Sequence, residues 1–165
     1  MNREQTASLI AVLCAAFPHV PVTRETVEVY HAALTDLNYD ACNAAIREML
    51  LTVERFPPPA TIRRKVAERA GVLAPAPGEA WGEVLTQARV VGARNRPVFT
   101  HPAITRVTDQ IGWWDICMST SPDTVRAHFL RAYEVERTAS DTRTLTEALV
   151  GLPDGLHRPA LGVGA

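Results

Sequence analysis

Two clusters of side chains in this 165-residue chain have the types and spacing to make specific contacts. The first is Arg63, Arg64, Lys65 and Arg69, in a stretch with helical periodicity. Guanidinium and ammonium groups in such a row suit carboxylates, phosphates and aromatic faces. A solvated helix face is the competing reading, because Glu68 stands four residues after Arg64 and offsets part of the charge. The second is the pair Trp113 and Trp114. Neighbouring residues on a helix point about 100° apart, so one small core does not readily bury both rings. One is expected in the core and the other as a partly exposed anchor of the kind found at binding hot spots. Packing of both rings under a neighbouring segment is the alternative.

Catalytic constellations are missing. His19, His31, His101, His128 and His157 are scattered, and none lies in a motif with a serine, cysteine or aspartate. His31 falls on the inner face of a predicted helix, where a hydrogen-bonded core histidine is the simplest role, and His101 leads into a helix. A hydrolase needs a nucleophile, a base and an orienting group together. Cys14, Cys42 and Cys117 are odd in number and far apart, without zinc spacing. The chain has no GxxxxGK[ST] loop to cradle a phosphate, and its single lysine, Lys65, follows two arginines. No enzyme activity, cofactor or metal is expected.

The totals agree with a contact protein. Net charge is −1, 47% of residues are hydrophobic and 21% are charged, which fits a folded globular chain. Residues 1–71 hold eight basic and eight acidic side chains, and 72–165 hold nine and ten. Neither half is the basic body that grips duplex DNA through many phosphates, so a protein partner is favoured. Apolar runs are too short and interrupted for a signal peptide or membrane span, and the cysteine usage fits a reducing compartment. A soluble, cytoplasmic protein is expected.

The elements that must position these residues are helices. Leu9, Val12, Leu13, Ala16 and Phe17 make one stripe, stopped by Pro18. Thr23 caps a second helix with Val27, Tyr30, His31 and Leu34 inward. Asn38 caps a third, lined by Cys42, Ala45, Ile46, Met49, Leu50 and Val53. Phe56, taken as a buried pin, and Pro57-Pro58-Pro59 form a rigid turn. A proline then starts the basic helix, whose apolar seam is Ile62, Val66 and Ala70 and whose stop is Gly71. Residues 72–78 are Pro-rich and uncharged and read as a stiff spacer that leaves a mobile joint. Beyond it, helices are expected around Trp81–Val91, Ile104–Ile111, Gly112–Met118 and from Pro122 through Phe129 and Tyr133. The signal fades after about Asp141, and 151–165 reads as a disordered tail. The expected fold is therefore all-α, with small helical units at 3–71 and 79–138 joined by the 72–78 linker.

From Leu9 to Gly71 the chain resembles the family of phage proteins that act as loader and inhibitor of the replicative helicase. The resemblance rests on order and spacing. An apolar helix ends in Phe17-Pro18. Val22-Thr23 precedes a helix with Tyr30 and Leu34, and Leu37 and Tyr39 precede an Ala-rich helix. Phe56-Pro57-Pro58 then leads to Ile62. The family commonly has threonine after the second proline, where Pro59 stands here, so a proline-started helix must replace a side-chain cap. The second half looks like the helical region that often follows this domain in phage proteins, through Glu79-Ala80-Trp81 with Val84, Val91-Gly92, His101-Pro102, Gly112-Trp113 and Phe129 to Tyr133.

The resemblance implies a non-enzymatic replication accessory protein in the cytoplasm of a bacterial host. It would bind the hexameric replicative DNA helicase, hold it inactive and help deliver it to the origin, through an origin-binding initiator or a single-strand-binding protein. Arg63, Arg64, Lys65 and Arg69, with Trp113 or Trp114, are the expected partner contacts. Two other classes stay open: a small helical DNA-binding regulator using the basic helix, and an assembly protein whose helices serve oligomerisation.

Overall fold

The structure, a computed structural model, describes residues 1–147. The tail expected at 151–165 lies outside the described residues. Among the described residues there are eight α-helices and no strand, so the all-α expectation holds. The chain divides into two compact units. Residues 1–72 form the first, together with residues 144–147, and Leu73–Arg143 forms the second.

The first unit contains α1 (Arg3–Ala16), α2 (Arg24–Leu34), α3 (Tyr39–Met49) and α4 (Pro59–Ala70). Each start has a chemical cause. Asn2 accepts the Gln5 amide while the Gln5 side chain accepts the Asn2 amide, a reciprocal cap. Thr23 does the same with Thr26. Asn38 accepts the amides of Asp40 and Ala41. α4 has no side-chain cap and begins on Pro59, whose ring preorganises the first turn. It stops at Gly71, which adopts the left-handed φ of +66° and lets the Val72 amide reach back to the Ala67 carbonyl.

α1 packs on α2 and α3, and α4 packs on α2 and α3, closing a ring around one core. Leu9, Ile10, Leu13, Leu34, Leu37, Cys42, Ala45, Ile46, Met49 and Ile62 are all nearly inaccessible to solvent there. The buried face of α1 differs from the expected one. Val12 and Ala16 lie outside, and Thr6 and Ile10 replace them. α1 is apolar almost all round, so periodicity alone did not single out a face. The polar group decides it: the Thr6 hydroxyl donates to the Asn2 carbonyl and meets His31 Nδ1 at 3.1 Å. His31 is thus a hydrogen-bonded histidine of the packing surface. Burial pushes the Cys42 thiol up to about 11, so it stays neutral as a small core hydrophobe.

The second unit contains α5 (Pro77–Val90), α6 (Pro102–Ile111), α7 (Trp113–Met118) and most of α8 (Pro122–Thr146). Phe129 stacks on Tyr133 and meets Trp81 at a tilt in its core, with Ala80, Val84, Ile104 and Val107. Of residues 72–78, expected as a spacer, Leu73 onward belongs to this unit. Ala74 is buried and its amide donates to Asp141, while the Tyr133 hydroxyl donates to the Pro75 carbonyl at 3.0 Å. Burial of that hydroxyl raises its pKa far above the usual tyrosine value. α8 also runs past residue 138, to Thr146. Its later turns carry little apolar periodicity because the buried positions are Ser140 and Asp141. Asp141 is stabilised there by the Ala74 amide.

Candidate functional site

α4 presents the four basic residues, and the structure separates them into different roles. Arg63 was expected on a contact face, but its side chain is only 14% exposed. Its two terminal nitrogens take both oxygens of Asp36, at 2.7 and 2.9 Å, and one of them also donates to the Ala33 carbonyl at 2.7 Å. A planar fork on a carboxylate is a strong, directional pair. It ties α4 to the end of α2 and the turn after it. Arg63 is thereby withdrawn from the contact face: its hydrogen-bonding capacity is committed inside the unit. The sequence did hold a signal, since Ala67 and Ala70 follow Arg63 at helical spacings of four and seven, and Ala67 is fully buried.

Lys65 and Arg69 stay at the surface and converge on one acceptor. Lys65 Nζ lies 2.5 Å and Arg69 2.8 Å from the two oxygens of Glu48 on α3, and Lys65 also lies 3.7 Å from Glu68. Hydrogen bonds from Lys65 and Arg69 lower the Glu48 pKa, and the Glu48 bond raises that of Lys65. Such exposed pairs contribute little to stability, but they neutralise the face. Arg64 is exposed and has no partner among the described residues. With Glu48 and Glu68 set against Arg64, Lys65 and Arg69, this face carries a net charge of +1 by simple count. That is too little for a phosphate-tracking recognition helix. Beside it lies an apolar group the sequence reading did not single out. Leu51, three residues after Glu48 in the turn that ends α3, is 86% exposed. One exposed leucine is ordinary on a protein surface, and Leu51 joins this face through its place next to Glu48, whose carbonyl its amide reaches.

In the second unit, the tryptophans divide. Trp113 is half-buried. Its indole nitrogen donates to the Gly92 carbonyl at 3.1 Å, and its ring stands edge-on to Phe99 with centroids 6.0 Å apart. Trp114 is 53% exposed. Gly92 adopts φ +71° and ends α5. Among the described residues, no group of three or more His, Cys, Asp or Glu could hold a metal ion. No helix there is long and apolar enough to cross a membrane.

The first unit is thus a four-helix module with Arg64, Lys65 and Arg69 on the accessible side of α4. Residues 1–62 match the family model for the N-terminal domain of a phage helicase loader/inhibitor. This supports the family that the sequence resembles, across α1, α2, α3 and the start of α4. The match ends at Ile62, directly before the basic cluster. No curated protein and no solved structure matches the chain.

Proposed function

We propose that this chain is a replication accessory protein of a phage or prophage that binds a hexameric replicative helicase, restrains it and helps load it at the origin. The observation that carries the reading is the match of residues 1–62 to the helicase loader/inhibitor domain. Those residues supply α1, α2, α3 and the first turn of α4, most of what closes the first core. The mechanism is differential binding: an adaptor that favours one helicase conformation shifts the population towards it, and its release lets unwinding begin. The chain contributes contacts and no chemistry of its own, and it acts in the cytoplasm of the bacterial host.

The docking face we assign to the helicase is the outer side of α4 with the turn after α3: Arg64, Lys65, Arg69 and Leu51. Its near-neutral charge favours a protein over duplex DNA, which weighs against the regulator reading. The test is complex formation between the full chain and its cognate helicase, read by size-exclusion chromatography with light scattering. Arg64→Glu combined with Leu51→Asp should weaken the complex about tenfold or more, the scale of one hot-spot residue. The thermal melt should stay unchanged, since both side chains are exposed. An intact complex in that variant would move the docking face elsewhere. Duplex-DNA binding in place of any helicase complex would favour the regulator.

A further inference from the structure

Charge in the second unit is unevenly placed. From Val84 to Thr108 the chain holds four arginines and no aspartate or glutamate. Arg106 is committed to Glu136. Arg89, Arg94 and Arg96 are exposed and have no partner among the described residues. Arg89 lies in the last turn of α5, and Arg94 and Arg96 lie in the connection between α5 and α6.

That connection is a built loop. Asn95 donates to the Val91 carbonyl at 2.9 Å. Thr100 gives its amide and hydroxyl to the two oxygens of Glu83, at 2.6 and 2.7 Å. Its two ends, Gly92 and Phe99, both meet the Trp113 ring, through the indole hydrogen bond and the edge-on aromatic contact. Arg94 and Arg96 lie in the connection whose two ends meet Trp113, and the next residue of α7 is the exposed Trp114. The nearest carboxylate on α7, Asp115, folds back against Gly112 at the helix start, where an added Cβ would lie 2.8 Å from its oxygen.

We propose that this loop and Trp114 form a binding site for single-stranded nucleic acid, with Arg89, Arg94 and Arg96 tracking phosphates and the Trp114 ring stacking on a base. Cationic side chains beside an exposed aromatic plane are the combination that single strands require. Guanidinium groups take phosphate oxygens in a fork geometry. A stacking ring needs an unpaired base, and three phosphate contacts are too few for tight duplex binding. The site belongs to the second unit and the α4 face to the first, so it stands or falls independently of the helicase reading.

The test uses the full-length chain and a fluorescein-labelled oligothymidine, followed by anisotropy. Wild-type protein should bind, with a logarithmic salt dependence of about −2, as expected for three phosphate contacts on a single strand. Trp114→Ala should weaken binding about tenfold, and Arg94→Gln with Arg96→Gln should make the salt dependence shallower by about 1.4. Far-UV melts matching wild type show that the variants fold. No binding by wild type, unchanged binding in the variants, or displacement of the oligonucleotide by an equal charge of polyglutamate would overturn the proposal. A chain that binds the helicase but not the oligonucleotide also overturns it, and leaves the adaptor reading in place.

Discussion

Replacing Arg63 with glutamate is expected to destabilise the first unit by about 4 kcal/mol, the scale of breaking one partner of a buried ion pair. The new carboxylate would face Asp36, and the Ala33 carbonyl would lose its donor. Total stabilities are only about 5–15 kcal/mol, so the variant should melt far below wild type or fail to accumulate. The neighbouring Arg64→Glu should melt like wild type, because Arg64 is exposed and touches no described partner. The pair separates two causes of lost helicase binding. A defect seen only in Arg63→Glu would reflect unfolding, and a defect in Arg64→Glu would reflect the contact face. Equal melting of both in urea would contradict the structural role given to Arg63.

Phe56→Ala is expected to cost about 3 kcal/mol, at the lower end for large-to-small changes because the ring is half-buried. The ring stands edge-on to Phe17 and to Tyr30, with centroids 6.1 and 5.9 Å away, and such pairs add to simple area burial. Next to it, the Tyr30 hydroxyl donates to the Pro57 carbonyl at 2.8 Å. Losing the ring should therefore loosen the proline turn that starts α4, and with it the presentation of Arg64 and Arg69. Thermal denaturation followed by circular dichroism checks this. An unchanged melting temperature would show that Phe56 belongs to the contact surface.

Local chemistry carried most of the legible information. The caps at Thr23 and Asn38, the proline start at Pro59 and the glycine stop at Gly71 were readable because each acts within a few residues. What failed was long-range. Asp36 and Glu48 decide the roles of Arg63, Lys65 and Arg69, yet they lie 27, 17 and 21 residues away in sequence. No helical spacing points to them. The buried face of α1 was obscured by an apolar surround and fixed by one hydrogen-bonded threonine. Composition marks 72–78 as a Pro-rich, uncharged stretch, and nothing in it points to Asp141, the buried carboxylate that accepts the Ala74 amide 67 residues away. Trp113 is half-buried and Trp114 exposed, as helix geometry allows for neighbours about 100° apart, whereas the contacts of Gly92 and Phe99 with Trp113 are long-range and leave no mark in the spacing.

The central claim is restraint of a replicative helicase, and its most direct measurement is the helicase's ATP turnover on single-stranded DNA as this chain is titrated in. Turnover should fall and level off at a fixed ratio of chain to hexamer, while the chain alone hydrolyses no ATP. Undiminished turnover at saturating chain, with no complex in any nucleotide state, would contradict the account.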